Sequence, residues 1–378
     1  MLGALAAFAL AACEPATTVV GRDISPVDIS GPVAVALLVP SSATGGAGSV
    51  GQSMENAAQL AAADVQGAEI DLRVYDTGGT PGGAVSAVDQ ALSEGAQIVL
   101  GPLYSQSISA VTPRVASAGV NVLAFSNNTA VAGGNVFVLG QTFDNVAQRL
   151  TAYAAGQGRN SVAVVHSDDV GGNTGREAIV DAAQTNGMRV ATVQSYPLSQ
   201  QGILEAGPRI ADAIEESDAS SVFLTANVDT DLPLIARTLP DNGVDPAQVR
   251  YLGLTRWNAL DEALRLPGLQ GGLFALPDQS AVAAFESRYR AAYGDAPHPL
   301  AGLAFDGVQA VASLVASGRP DPLNAGALTQ PAGFEGAYGA FRLLPDGTNN
   351  RALAVAQVQN NQVVVLDPAP QSFGAAGF

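Results

Sequence analysis

Lysine is absent from all 378 residues, so every one of the 17 basic side chains is an arginine. Without lysine the chain holds neither a Walker-type phosphate loop nor a Schiff-base lysine for pyridoxal chemistry. Histidine is nearly as scarce: His166 and His298 stand alone, with no cysteine or second histidine beside either. That spacing supplies no zinc or haem ligand set, and the sequence calls for no cofactor. The G-x-S-x-G elbow of serine hydrolases is also missing. His166-Ser167-Asp168 brings triad residue types together, but neighbours in one turn do not reach triad geometry, and the run reads as a solvated loop after a strand. These absences weigh against an enzyme. The formal net charge of −17 is spread along the chain, a field that repels nucleic acid and anionic lipid.

Only one cysteine is present, Cys13, which excludes an internal disulfide. It closes a short apolar run, Leu2–Ala12, that falls well below the twenty or so residues needed to span a bilayer. Such a run fits the apolar core of a secretory signal. Leu10-Ala11-Ala12-Cys13 resembles the lipobox of bacterial lipoproteins, which implies cleavage after residue 12 and a lipid on Cys13. Residues 13–32 are polar and punctuated by proline, and read as the tether between that lipid and folded sequence.

From Val33 a rhythm begins. VAVALLV (Val33–Val39) is continuously apolar, as a strand buried on both faces must be. Helix-like segments then alternate with IDLRVY, AQIVLG and VNVLAF, with Gly67, Gly95 and Gly119 marking helix ends. The alternation restarts with helix Phe143–Gly156 and SVAVVH and runs on through SSVFLTA and VRYLGL. Alternation of this kind predicts parallel βαβ units, here in two successive sets. Two further helices between about residues 281 and 317 precede an antiparallel ribbon, FEGAYGAFRLLPDG, ALAVAQVQ and QVVVLDP. A chain that returns to helices after its second set of strands is expected to cross between lobes more than once.

The order of these segments resembles the Leu/Ile/Val-binding type of periplasmic binding proteins. VAVALLVPSSATGGAGSVGQSMENAAQLAAADVQG, IVLGPLYSQSISAV and FDGVQAV carry the likeness. It implies an α/β, two-lobed periplasmic-binding-protein type I fold, with mainly parallel sheets flanked by helices and three hinge crossings. Lobe one is then expected at 33–140 plus 279–333, and lobe two at 141–277 plus 335–368. DTGGTPGGA, GPLYSQS, VLAFSNN, YLGLTRWN and LAVAQVQNNQVVVLDPAP further resemble the lipoprotein activators of penicillin-binding proteins. This narrower likeness implies a non-enzymatic regulator of peptidoglycan synthesis whose partner is a penicillin-binding protein. The alternative is the substrate-binding lipoprotein of an ABC importer, with a permease as partner and an amino acid or other small solute as ligand. Either role places the protein in the periplasm, lipid-anchored to the outer or inner membrane.

Ligands of open parallel sheets lie beyond the carboxyl ends of the strands. Ser49, Ser105, Ser107, Ser126 and Asn127 fall there in lobe one, and Asp169, Arg256 and Trp257 in lobe two. In amino-acid binders of the resembled family, lobe-one hydroxyls meet the ligand carboxylate, which implies that role for Ser105 and Thr129. An acidic residue of lobe two meets the ammonium group, yet Thr255-Arg256-Trp257 occupies the matching stretch, with Asp169 and Asp229 as alternatives. Arg256 beside Trp257 suits an anion, a flat ring or a protein partner; Trp257 reads equally as a hydrophobic plug.

Overall fold

The computed structural model describes residues 31–374. Cys13, the predicted leader and most of the tether therefore lie outside the described residues. The chain runs β1 (Val33–Val39), α1 (Gly46–Ala63), β2 (Ile70–Asp76), α2 (Pro81–Ser93), β3 (Ile98–Leu100), α3 (Ser105–Ala118), β4 (Asn121–Ala124) and β5 (Val136–Val138). It continues with α4 (Phe143–Gly156), β6 (Ser161–Ser167), α5 (Val170–Thr185), β7 (Arg189–Tyr196), α6 (Gln200–Glu216), β8 (Ser221–Leu224), α7 (Leu232–Asp241), β9 (Arg250–Gly253) and β10 (Leu273–Leu276). The last part holds α8 (Gln279–Tyr293), α9 (Ala301–Ala316), α10 (Ala325–Leu328), β11 (Phe341–Leu343), β12 (Asn349–Arg351), β13 (Ala354–Gln359) and β14 (Gln362–Asp367).

Strands β2-β1-β3-β4-β5 form one parallel sheet. The second sheet, β14-β13-β10-β9-β8-β6-β7, repeats that winding and ends in two antiparallel strands. Each sheet thus reverses strand order once, between β1 and β3 and between β6 and β8, and a doubly wound sheet opens a crevice at that point. The apolar run of β1 is buried on both faces for a visible reason. Val33, Val35, Leu37 and Val39 pack with α1 and α9, while Ala36 and Leu38 pack with α2 and α3. Strand β6 divides in the same way, with Ala163 and Val165 facing α6 and α7, and Val162 and Val164 facing α4 and α5.

Several helices start earlier than their sequence suggests. The glycines of GAGSVGQ and DVGG read as loop, yet α1 begins at Gly46 and α5 at Val170. These glycines are there for close approach. A Cβ on Gly51 would stand 2.8 Å from the Pro40 carbonyl carbon, and one on Gly172 would stand 2.1 Å from the Ser167 carbonyl oxygen. Asp169 then caps α5 by accepting from Gly172 N at 2.7 Å.

The chain passes between the sheets at residues 139–142, at 277–278 and at 351–353. The last passage differs from the expected one near residue 334. Phe334, Ala337, Phe341 and Leu343 pack in the first core, and the chain joins the second core only at Leu353. Apolar alternation marks a strand but not the sheet it covers. The β11–β12 hairpin is held to the first sheet by Val138 N donating to Gly347 O at 2.9 Å. Its turn residues Pro345-Asp346-Gly347 lie within that hairpin, not between it and β13.

Candidate functional site

A cavity of about 600 Å³ lies where the carboxyl ends of both sheets face one another. It is bounded by the loops after β3 and β4, the end of β9, the start of α9 and all three passages, through Gly140, Gln141, Pro277, Arg351 and Leu353.

The lobe-one wall is polar and ordered. Ser105 Oγ and Ser126 Oγ share a hydrogen bond of 3.2 Å, Asn128 Nδ2 donates to Ser105 Oγ at 3.3 Å, and Asn128 N donates to Ser126 Oγ at 3.0 Å. Ser105 opens α3, and Tyr104 at its N-cap offers no capping side chain. The first-turn N–H groups and the positive end of the helix therefore face the cavity without a side-chain acceptor.

Rings and aliphatic side chains make up most of the remaining surface: Tyr104, Phe125, Leu103, Leu300, Leu303 and Tyr338. Tyr338 is fixed by accepting from Gly302 N at 3.1 Å and donating to Pro299 O. Burial raises its phenol pKa. Gly302 is required beneath it, since a Cβ there would stand 2.5 Å from the ring.

Two guanidiniums reach the cavity, in contrasting settings. Arg351 Nη2 pairs with Asp306 Oδ2 at 2.9 Å, Nε donates to Leu139 O at 2.8 Å, and the group stacks on Phe341 with its carbon 4.9 Å from the ring centre. Both partners are buried, with side-chain exposures of 4% and 0%. Desolvation pushes the Asp306 carboxyl up; Arg351 and the Ala337 N–H at 2.6 Å oppose it. The guanidinium of Arg256, after the end of β9, makes no hydrogen bond or ion pair among the described residues. Arg256 is exposed, yet the surrounding atoms of the cavity wall lower its pKa by desolvation, with the Tyr338 hydroxyl opposing. Arginine stays charged despite such a shift. No aspartate or glutamate is among the lining residues, and no cluster of metal-ligating side chains occurs among the described residues.

Of the residues singled out in the sequence, Ser105, Ser126, Asn127 and Arg256 line this cavity together. The others do not. Ser49 is exposed on α1 and donates to Gly46 O at 2.7 Å. Ser107 points inward, 1% exposed, with an unpartnered Oγ. Thr129 lies in a short 3-10 turn beside the cavity's edge residues. Asp169 is committed to capping α5, its Oδ1 also accepting from Ser167 Oγ at 2.9 Å. Trp257 is the clearest correction: it is fully buried in the second core, its ring 5.8 Å from Phe274, so it plugs the lobe and touches no ligand. In the His166 run, Nδ1 meets the Ser167 carbonyl at 3.0 Å and Ser167 Oγ is taken by Asp169, so no triad forms. The sequence reading missed Tyr104, Phe125, Tyr338 and Arg351. The first two sit beside serines already noted at strand ends; the last two lie in the part of the ribbon before β13, expected in the second lobe but packed on the first.

No curated protein matches the chain. Many solved structures share its fold, at low identity. An ABC transporter substrate-binding protein from Sphaerobacter thermophilus superposes with a TM-score of 0.68 at 17% identity, covering 90% of this chain and 98% of its own. A substrate-binding protein from Desulfitobacterium hafniense in complex with leucine gives 0.61 at 19%, covering 89% and 100%. A solute-binding protein from R. palustris in complex with benzoate gives 0.58 at 17%, covering 90% and 97%. The family profile of periplasmic binding proteins matches residues 32–362. That match spans both doubly wound sheets and the cavity at their facing edges, and the chain belongs to the periplasmic binding protein family.

Proposed function

We propose that this protein is the periplasmic solute receptor of an ABC importer. The observation that carries the reading is the cavity of about 600 Å³ bounded by both lobes and by all three passages. A solute held there touches both lobes at once, contacts that an arrangement with the lobes apart would not offer together. Binding thereby stabilises the closed arrangement by as much as the solute prefers it, and closure is a shape a permease can read. The fold neighbours described as substrate-binding proteins support this role. The regulator of peptidoglycan synthesis suggested by the sequence gains no support from the comparisons, and the importer alternative replaces it.

A cognate solute is expected to raise the melting temperature, because ligand that binds only folded protein adds roughly 2.7 kcal/mol at a hundredfold excess over Kd. Thermal-shift screening of a metabolite library at millimolar concentration checks this, with Ser105→Ala expected to reduce the shift. A flat response across a broad library would remove the solute-receptor reading.

We also propose, from the sequence alone, that Cys13 carries a lipid anchor. Cys13→Ser is expected to move the protein from the membrane to the soluble periplasmic fraction; retention on the membrane would exclude the anchor. Several acyl chains are needed for firm attachment, since one binds only marginally.

A further inference from the structure

We infer that the solute is a carboxylate that lacks an ammonium group and carries a compact apolar or aromatic body. This rests on the solute-receptor reading and narrows it. The chain has a net charge of −17, yet no acidic residue lines the cavity. Of its two guanidiniums, Arg351 is already neutralised by Asp306 at 2.9 Å. The guanidinium of Arg256 has neither an ion pair nor a hydrogen bond among the described residues, so the cavity wall holds one uncompensated positive charge.

A guanidinium in a partly desolvated wall gains most from a carboxylate, which its planar fork matches with two parallel bonds. An ammonium group in the same space would lose water, meet no anion and be repelled by Arg256. The acids paired with or adjacent to lining residues, and the one singled out in lobe two, are committed elsewhere. Asp306 is held by Arg351 and Ala337 N, Asp278 accepts from Ser280 N at 2.8 Å and from Gln371, and Asp169 caps α5. The Ser105 and Ser126 hydroxyls remain to orient the head of the solute.

The rest of the lining argues for the body. Leu103, Phe125, Leu300, Leu303, Leu353 and the Tyr338 ring offer apolar surface that a bare inorganic anion would leave uncovered while its own oxygens went unbonded. A short aliphatic or monocyclic acid satisfies both parts of the wall.

Calorimetric titration of the full chain with matched compounds tests this: 3-phenylpropanoate against phenylalanine and 3-phenylpropanamide, 4-methylpentanoate against leucine, and benzoate against benzamide. Within a matched set, the acid is expected to bind about tenfold or more tightly than its amino-acid and amide counterparts. Arg256→Gln is expected to weaken the acid by a similar factor. Because Arg256 has no protein partner, the ligand-free melting temperature of this variant should match the parent. An amino acid or amide binding as tightly as its acid, or acid binding unchanged in Arg256→Gln, overturns the inference and leaves solute capture standing. Failure of every compound also overturns the inference, while a hit in the broader thermal screen would still preserve the receptor reading.

Discussion

Asp306→Ala is expected to destabilise the folded protein by about 3–5 kcal/mol, the range for removing one partner of a buried ion pair. Asp306 is fully buried and Arg351 nearly so, so the substitution leaves a guanidinium with little access to water and no counter-charge. The Leu139 carbonyl and the Phe341 ring remain beside Arg351, but neither neutralises its charge. The Ala337 N–H loses its acceptor at the same time. A double replacement, Asp306→Leu with Arg351→Met, should recover much of the loss, because it removes both charges together. Urea unfolding of the three proteins gives the comparison. A single variant within 1 kcal/mol of the parent would show that the pair adds no coupling.

Trp257→Ala should fall in the same range, about 3–5 kcal/mol, for a different reason. The indole is wholly buried and fills the space between Gly253 and Gly272, where an added Cβ would come within 2.3 and 2.6 Å of the ring. Alanine leaves a void that a strand end and a 3-10 turn do not readily close. Its Nε1 has no hydrogen-bond partner, so Trp257→Phe sacrifices packing alone and should lose less. Solute affinity separates a packing role from a binding one. The phenylalanine variant should keep it, whereas a loss as large as that of Arg256→Gln would return Trp257 to the site.

The sequence made the architecture readable because burial on both faces leaves an unbroken apolar signature in β1 and β6. The glycine that ends α3 was equally plain: Gly119 adopts φ 70°, a left-handed conformation that side chains resist. Strands β5 and β10 escaped the helix–strand rhythm because short 3-10 turns, not helices, lead into them. The Asp306–Arg351 pair left no periodic trace because its members are 45 residues apart and meet only through the fold. Ser105, Ser126 and Arg256 were found because strand ends are chemically distinctive. Trp257 shared that position, but its ring turns inward against Phe274. Motifs such as GPLYSQS do not decide between the two roles, because they describe a strand, a turn and a helix start rather than what is bound there.

The return of α9 to the first sheet also bears on how the protein is made. Residues 33–138 supply every strand of that sheet, but α9, which covers Val35 and Leu37 together with α1, begins only at Ala301. A ribosome releases the five strands β6 to β10 of the second sheet before that helix emerges. One face of the first sheet therefore has only α1 to cover it through most of synthesis, and completion of the first lobe depends on a contact between distant parts of the sequence. Long-range closure of this kind slows folding and prolongs exposure of apolar surface.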